Sequence, residues 1–255
     1  HEGINKTRMK NVEKLFHVSF VGENGVDCGG LMREFASEIV TDINCPNIGL
    51  FILTPNGRNH QGKYQDCLIP TPHPRISSSG RFYHAVGAFI AMSIRCQIQQ
   101  AGFIFPPLFW NFIISNELRI EDIYDIDISY KRLITNIIAA SQTMSDSEFE
   151  ESMRDITVTN SRGDVISFGL TNRDLAPGRL KRSNVQRFIA FSNECRINEL
   201  KIPLTSIRNG FWENMGFTPP RYISPMLIEY LACGDKVITI SSLREAVHFD
   251  DISLL

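Results

Sequence analysis

The period at which apolar residues return along this chain is mostly that of a helix, and it limits the fold more than any other feature. From Leu31 to Val40 the residues Leu31, Phe35 and Ile39 recur every fourth position, with Arg33, Glu34, Ser37 and Glu38 on the other face, which predicts a half-buried surface helix. The stretch from Phe82 to Gln99 is helical in length and apolar on most sides, through Phe82, Val86, Phe89, Ile90, Met92 and Ile94, as in a helix enclosed at the centre of a domain. Pro106-Pro107 fits helix entry, with Leu108, Phe109, Phe112 and Ile113 as its buried face. Further helices are expected from Pro203 to Met215, with Leu204, Ile207, Phe211 and Trp212, and from Ser224-Pro225 to a stop at Gly234. A capping box at Ser242-Leu243-Arg244-Glu245 starts one more.

Strand signals are fewer. Lys14 to Val21 reads as a strand ended by the turn from Gly22 to Gly30, and Asp155–Thr159 with Asp164–Leu170 reads as a hairpin around Asn160-Ser161-Arg162-Gly163. Residues 56–79 carry the Pro, Gly, Asn and Ser of a loop. Between Arg119 and Arg196 short helices and the acidic residues Asp146, Glu148, Glu150 and Glu151 set off a smaller unit. The expected fold class is α+β, mainly helical, with a large subdomain of residues 1–118 and 197–255 and a small subdomain of residues 119–196.

With 255 residues and 43% hydrophobic content, the chain is long enough to bury a sizeable core. A formal net charge of -2 supplies no basic field for a phosphate backbone, so nucleic acid is not an expected partner. The basic residues Arg179, Lys181, Arg182 and Arg187 lie in a Pro-Gly setting and read as a solvated turn. The six cysteines form no CxxC pair and no cluster at zinc spacing, so neither a metal nor a cofactor is implied. Their widely spaced, partly apolar settings suit a reducing cytoplasmic or nuclear compartment. No apolar run of about 18 residues marks a membrane span, and the N-terminus lacks a signal-peptide core. A start at His1 reads as the edge of an excised fragment.

The Gly-rich segment from Gly22 to Gly30 sits where phosphate loops sit, between strand and helix, but lacks a GK[ST] ending and carries Glu23 and Asp27. The same two carboxylates would raise the pKa of Cys28 and oppose a nucleophilic role. No GxSxG elbow is present. Phe20-Val-Gly-Glu-Asn-Gly-Val-Asp-Cys-Gly-Gly-Leu-Met-Arg-Glu-Phe35 instead closely resembles the opening signature of HECT domains. Further matches follow in order: Pro46 to Phe51, Gly87 to Ile94, Phe105 to Phe109, Ile120 to Ile123, Arg208 to Phe211 and Ser224 to Gly234. The Pro55-Asn-Gly-Arg58 segment with Asp66-Cys67 looks more like the HERC group of this family than its WW-domain members.

The resemblance implies the N-terminal lobe of a HECT-type E3 ubiquitin ligase. Ligases of this family take ubiquitin from an E2 enzyme as a thioester on a cysteine of a C-terminal lobe and pass it to a substrate lysine. No Thr-Cys pair occurs here, so that lobe and its cysteine are expected beyond Leu255. The implied partners are an E2 enzyme, ubiquitin, and a protein substrate recruited outside this chain. Matched residue by residue, the family's E2 groove falls on Tyr130, Ile134, Asn136, Ile137 and Phe188. Tyr130, Ile134 and Ile137 also share one helical face at i, i+4, i+7. On a second helix, capped by Asn184, the residues Val185, Phe188, Ile189 and Phe191 are apolar on more than one side. Two alternatives stand beside this: packing of these residues in the small subdomain's own core, and a non-catalytic HECT-like scaffold without a cysteine lobe. At Ala140, where the family often has a larger aromatic residue, part of the groove wall is missing.

Overall fold

A computed structural model describes residues 30–72, 80–100, 102–154, 156–166, 180–216, 223–235 and 239–240. The expected strand from Lys14, the glycine turn before Gly30, Cys28, Arg179 and the helix from Ser242 lie outside these residues, as does the far end of the hairpin.

The first helix, α1 (Gly30–Asn44), buries Met32, Ala36, Val40 and Ile43, one position on from the Leu31, Phe35 and Ile39 row, which is half-buried. Both rows belong to one wide apolar arc, and the fold turns its second row inward. Two short strands follow, β1 (Phe51–Leu53) and β2 (Leu68–Pro70), paired antiparallel with Phe51 opposite Pro70 and Leu53 opposite Leu68. The stretch between them corrects the loop expectation for residues 56–70. Thr54 caps a single helical turn, α2 (Pro55–Arg58), accepting from the Gly57 amide at 3.0 Å. The buried Asn56 then fastens it: its amide donates to the carbonyls of Lys63 and Asp125, both at 2.9 Å, and its oxygen accepts from the Ile128 amide at 2.8 Å. Loop-type residues are used here as internal ties.

Helix α3 (Gly80–Arg95) confirms the enclosed helix, with Tyr83, Val86, Phe89, Ile90 and Ala91 buried, although Phe82 points out at 60% exposure. Helix α4 (Pro107–Ser115) begins with Pro107 in its first turn, buries the four expected residues plus Trp110, and ends at Asn116 in the left-handed region. Phe105 stacks on Phe109 with ring centroids 4.0 Å apart, and Phe51, Phe103 and Trp110 complete the aromatic cluster around it.

Helices α5 (Ile120–Ile126), α6 (Ile128–Thr143) and α7 (Asp146–Ser152) follow as the expected short helical region. Ser145 and Glu148 cap α7 reciprocally. The turn at Asn160 survives as a bridge between Thr159 and Val165. Arg182 is exposed, as expected of a solvated turn, and pairs at the surface with Asp146 at 2.9 Å.

The two helices expected around Asn184 and Pro203 are one, α8 (Val185–Met215), 31 residues long. Pro203 lies inside it rather than at a start. Proline removes only the bond to the Glu199 carbonyl four residues earlier, and the buried face on both sides holds the helix together. The expected division at 196/197 therefore falls within a continuous helix. Asn184 does not cap α8 with its side chain, which bonds back to the Lys181 amide at 2.9 Å. Helix α9 (Pro225–Cys233) has the anticipated ends, Ser224 accepting from the Leu227 amide and Gly234 at a φ of 79°.

Helices α3 and α8 form the most extensive helix pair of the described residues. They meet backbone to backbone: a Cβ on Gly87 would fall 1.8 Å from the Ile207 carbonyl oxygen, and one on Gly210 would fall 1.9 Å from that of His84. Gly87→Ala and Gly210→Ala are each expected to lower stability by about 3 kcal/mol or more, the cost of forcing extra volume into a packed contact. Gly30→Ala, with nothing within 4 Å of the added carbon, should stay within about 0.5 kcal/mol. Urea denaturation of the three variants measures the difference.

Candidate partner-docking site

The segment that carries most of the positions expected to form a groove begins at Asp127, whose carboxylate accepts from the Tyr130 amide at 2.9 Å and so caps α6. From there Tyr130, Ile134, Ile137 and Ala140 descend one face of the helix into the core, and α8 brings Val185, Phe188 and Ile189 to the same buried cluster. The Tyr130 hydroxyl donates to Asn193 at 2.7 Å and lies 2.8 Å from the Ser192 hydroxyl, so the polar end of the ring is satisfied on α8. The Arg196 guanidinium stands over the same ring, 4.8 Å from its centroid. Burial pushes the Tyr130 phenol up to about 12.

The five positions divide unequally between interior and surface. Tyr130, Ile134, Ile137 and Phe188 are exposed by only 5, 3, 0 and 6%, whereas Asn136 faces solvent. The seam between α6 and α8 is thus an apolar floor with a narrow rim. Asn136 and Ala139 are exposed on the rim, Leu133 and Ile138 are half-buried beside them, and α8 adds exposed Ala190 and half-buried Phe191. Ala140, 7% exposed, contributes little wall.

A second constellation, which the sequence reading passed over, lies at the head of the seam. Arg196, 2% exposed, donates through Nη2 to the buried Asp127 carboxylate, and its Nε stands 3.4 Å from Glu199. Glu199 accepts the Ser161 amide with both oxygens, at 3.1 and 3.0 Å, while the Ser161 carbonyl accepts from Arg58. Burial raises the Glu199 carboxyl above its usual range, with Arg196 and Ser161 opposing the shift. Burial likewise lowers the Arg58 guanidinium from its usual value. A cleft of about 350 Å³ opens beside this network, lined by Arg58, Asp127, Ser161 and Arg196 among others. One signal was available in the sequence: Ser192 and Arg196 interrupt the buried stripe of α8, which otherwise runs through Val185, Phe188, Ile189, Leu200 and Leu204. A polar residue in such a stripe calls for a partner.

Among the described residues no His, Cys, Asp or Glu group could hold a metal ion, and no helix is long and apolar enough to cross a membrane. Removing one partner of a buried ion pair leaves the others unpaired, so Arg196→Met is expected to cost about 3–5 kcal/mol. Asp127→Asn keeps the capping oxygen and should cost less. Denaturant midpoints of the two variants give the order.

Comparison with known proteins gives these elements a family. A family model described as HECT-domain (ubiquitin-transferase) matches residues 37–253. The human E3 ubiquitin-protein ligase HERC2 is 22% identical over 240 residues, covering 94% of this chain and 5% of that protein. The probable E3 ubiquitin-protein ligase HUL4 of Eremothecium gossypii is 24% identical over 260 residues, covering 97% of this chain and 30% of its own length. The chain therefore spans a minor part of these relatives. With the family model covering most of its length, the chain belongs to the HECT-domain family.

Proposed function

We propose that this chain is the E2-docking lobe of a HECT-type E3 ubiquitin-protein ligase. In the whole protein, the thiolate of a cysteine-bearing lobe attacks the E2–ubiquitin thioester and releases the E2 thiol. A substrate lysine amine then attacks the new thioester, forms the isopeptide bond and returns the thiol. This chain's share is to hold the E2 where that transfer can occur. The observation that carries the reading is the α6–α8 seam, which collects the residues matched to the family's groove on two packed helices. Its floor is Tyr130, Ile134, Ile137 and Phe188, and an E2 loop would reach it beside Asn136, between Leu133, Ile138 and Phe191. Membership of the HECT-domain family supports the partner class. The setting we propose is cytoplasmic or nuclear.

The geometry sharpens how this is tested. Phe188 is almost fully buried, so Phe188→Ala acts on the fold as well as on the seam, at about 3–5 kcal/mol for the lost ring. Asn136→Arg changes only the rim, and its stability should remain within about 0.5 kcal/mol of the parent. Titrating labelled chain with a panel of E2 enzymes should show saturable binding, weakened about tenfold or more by Asn136→Arg. It should be undetectable for Phe188→Ala at a temperature where circular dichroism shows that variant folded. Unchanged affinity in both folded variants rules out the seam. A scaffold without a cysteine lobe is distinguished by a thioester assay on a longer piece of the parent protein, which forms no reducible ubiquitin adduct if that alternative holds.

A further inference from the structure

A cleft of about 570 Å³ lies between α1 and the segment from Gln97 to Gly102, away from every residue of the α6–α8 seam. Its size is within the roughly 300–1,000 Å³ usual for ligand clefts. One wall is the face of α1 that presents Arg33, Ser37, Thr41 and Asn44 at i, i+4, i+8 and i+11. The opposite wall is held close and fixed. A Cβ on Gly102 would come within 2.7 Å of Val40, and Asn44 donates to the Gly102 carbonyl at 2.8 Å. Gln97 takes a left-handed φ of 57° that residues with side chains rarely adopt.

Gln100 is the informative residue. Its amide nitrogen donates to the Ala232 carbonyl at 2.7 Å, which ties the segment to α9. Its side chain, only 6% exposed, lines the cleft and makes no hydrogen bond among the described residues. Asn44 Oδ1, on the facing wall, is buried and without a hydrogen-bond partner among the described residues, and such an acceptor costs free energy until a donor is supplied. Gln97 stands on the same wall as Gln100, as does Gln99, whose Nε2 donates to the Tyr230 carbonyl at 3.3 Å and leaves its oxygen as the group to be paired. Carboxamides offer an acceptor and two donors, the pattern of a peptide group itself, and so pair readily with a main chain. Among the described residues no Asp or Glu lines the cleft, and Arg33 is its one charged group. From Arg33 to Asn44 the helix advances about 16 Å, the length of about five extended residues.

We propose that this cleft holds an extended peptide segment of a partner protein, its main chain paired with Gln100 and Asn44 and a carboxylate paired with Arg33. A guanidinium fork takes a carboxylate through two parallel bonds, which fixes the direction of the segment. The proposal is independent of E2 docking at the seam. Random nine-residue peptides with free C-termini, displayed and panned against the 255-residue chain, should yield enriched binders. Resynthesised and titrated by fluorescence anisotropy, these should bind Gln100→Leu and Arg33→Gln about tenfold more weakly. Melting curves should show the exposed Arg33→Gln variant as stable as the parent. Loss of binding on C-terminal amidation assigns the carboxylate to a chain terminus, and retained, Arg33-dependent binding assigns it to an Asp or Glu side chain. Absence of enriched peptides, or peptides that bind both variants as tightly as the parent, overturns the proposal.

Discussion

Arg196 places a guanidinium where almost no water reaches, and the architecture around it follows from the need to neutralise that charge. Asp127 meets it from the start of α6, Glu199 from one turn further along α8, and Glu199 in turn fixes the turn at Ser161. Arg58 closes the circuit from α2 through the Ser161 carbonyl. Four segments far apart in sequence thus share one set of charges. Each carboxylate does two things at once, since Asp127 caps a helix and Glu199 holds a loop amide. Buried ion pairs of this kind add little net stability over an apolar core, yet breaking one side is costly. That asymmetry favours a single arrangement of the four segments.

The seam between α6 and α8 inherits its geometry from this network. Tyr130 is the shared member: its ring lies under Arg196, its hydroxyl is held by Ser192 and Asn193, and its backbone is capped by Asp127. A residue restrained on three sides sets the rotation of α6 about its axis, and with it which residues reach the floor and which reach the rim. Polar bonds orient the two helices, and apolar contacts below Tyr130 fill the space between them. A partner meeting the rim at Asn136 would encounter a surface already shaped, which lowers the ordering cost of association.

The helical fold was legible wherever local chemistry decides it. The proline entries at Pro107 and Pro225, the stop at Gly234 and the apolar faces of α3 and α4 need no distant partner to be recognised. Legibility failed where a distant group changes the meaning of a residue. Asn56 has the composition of a loop, but its partners at Asp125 and Ile128 make it a buried tie. Pro203 carries the mark of a helix start, and only the continuous packing of α8 overrides it. At the candidate site, the residues matched by resemblance could be named, but their division into floor and rim depends on how α6 meets α8, which periodicity on either helix does not fix. The charge network was hidden for a related reason: its members are spread across α2, α6, the turn and α8, and no spacing rule joins them.

The glycine contact between α3 and α8 also orders the assembly of the chain in time. Gly87 and Gly210 stand well over a hundred residues apart, and everything from α4 through most of α8 is enclosed between them. Closing so long a loop costs entropy that the crossing alone must offset, so contacts of shorter range, such as α5 with α6 and α7 with the turn before α8, have the kinetic advantage. The enclosed segment can therefore organise first and bring the two halves of the crossing into reach. Bare backbone at the meeting point then acts as a register stop, because a slip of one residue would set side chains where only hydrogen atoms fit.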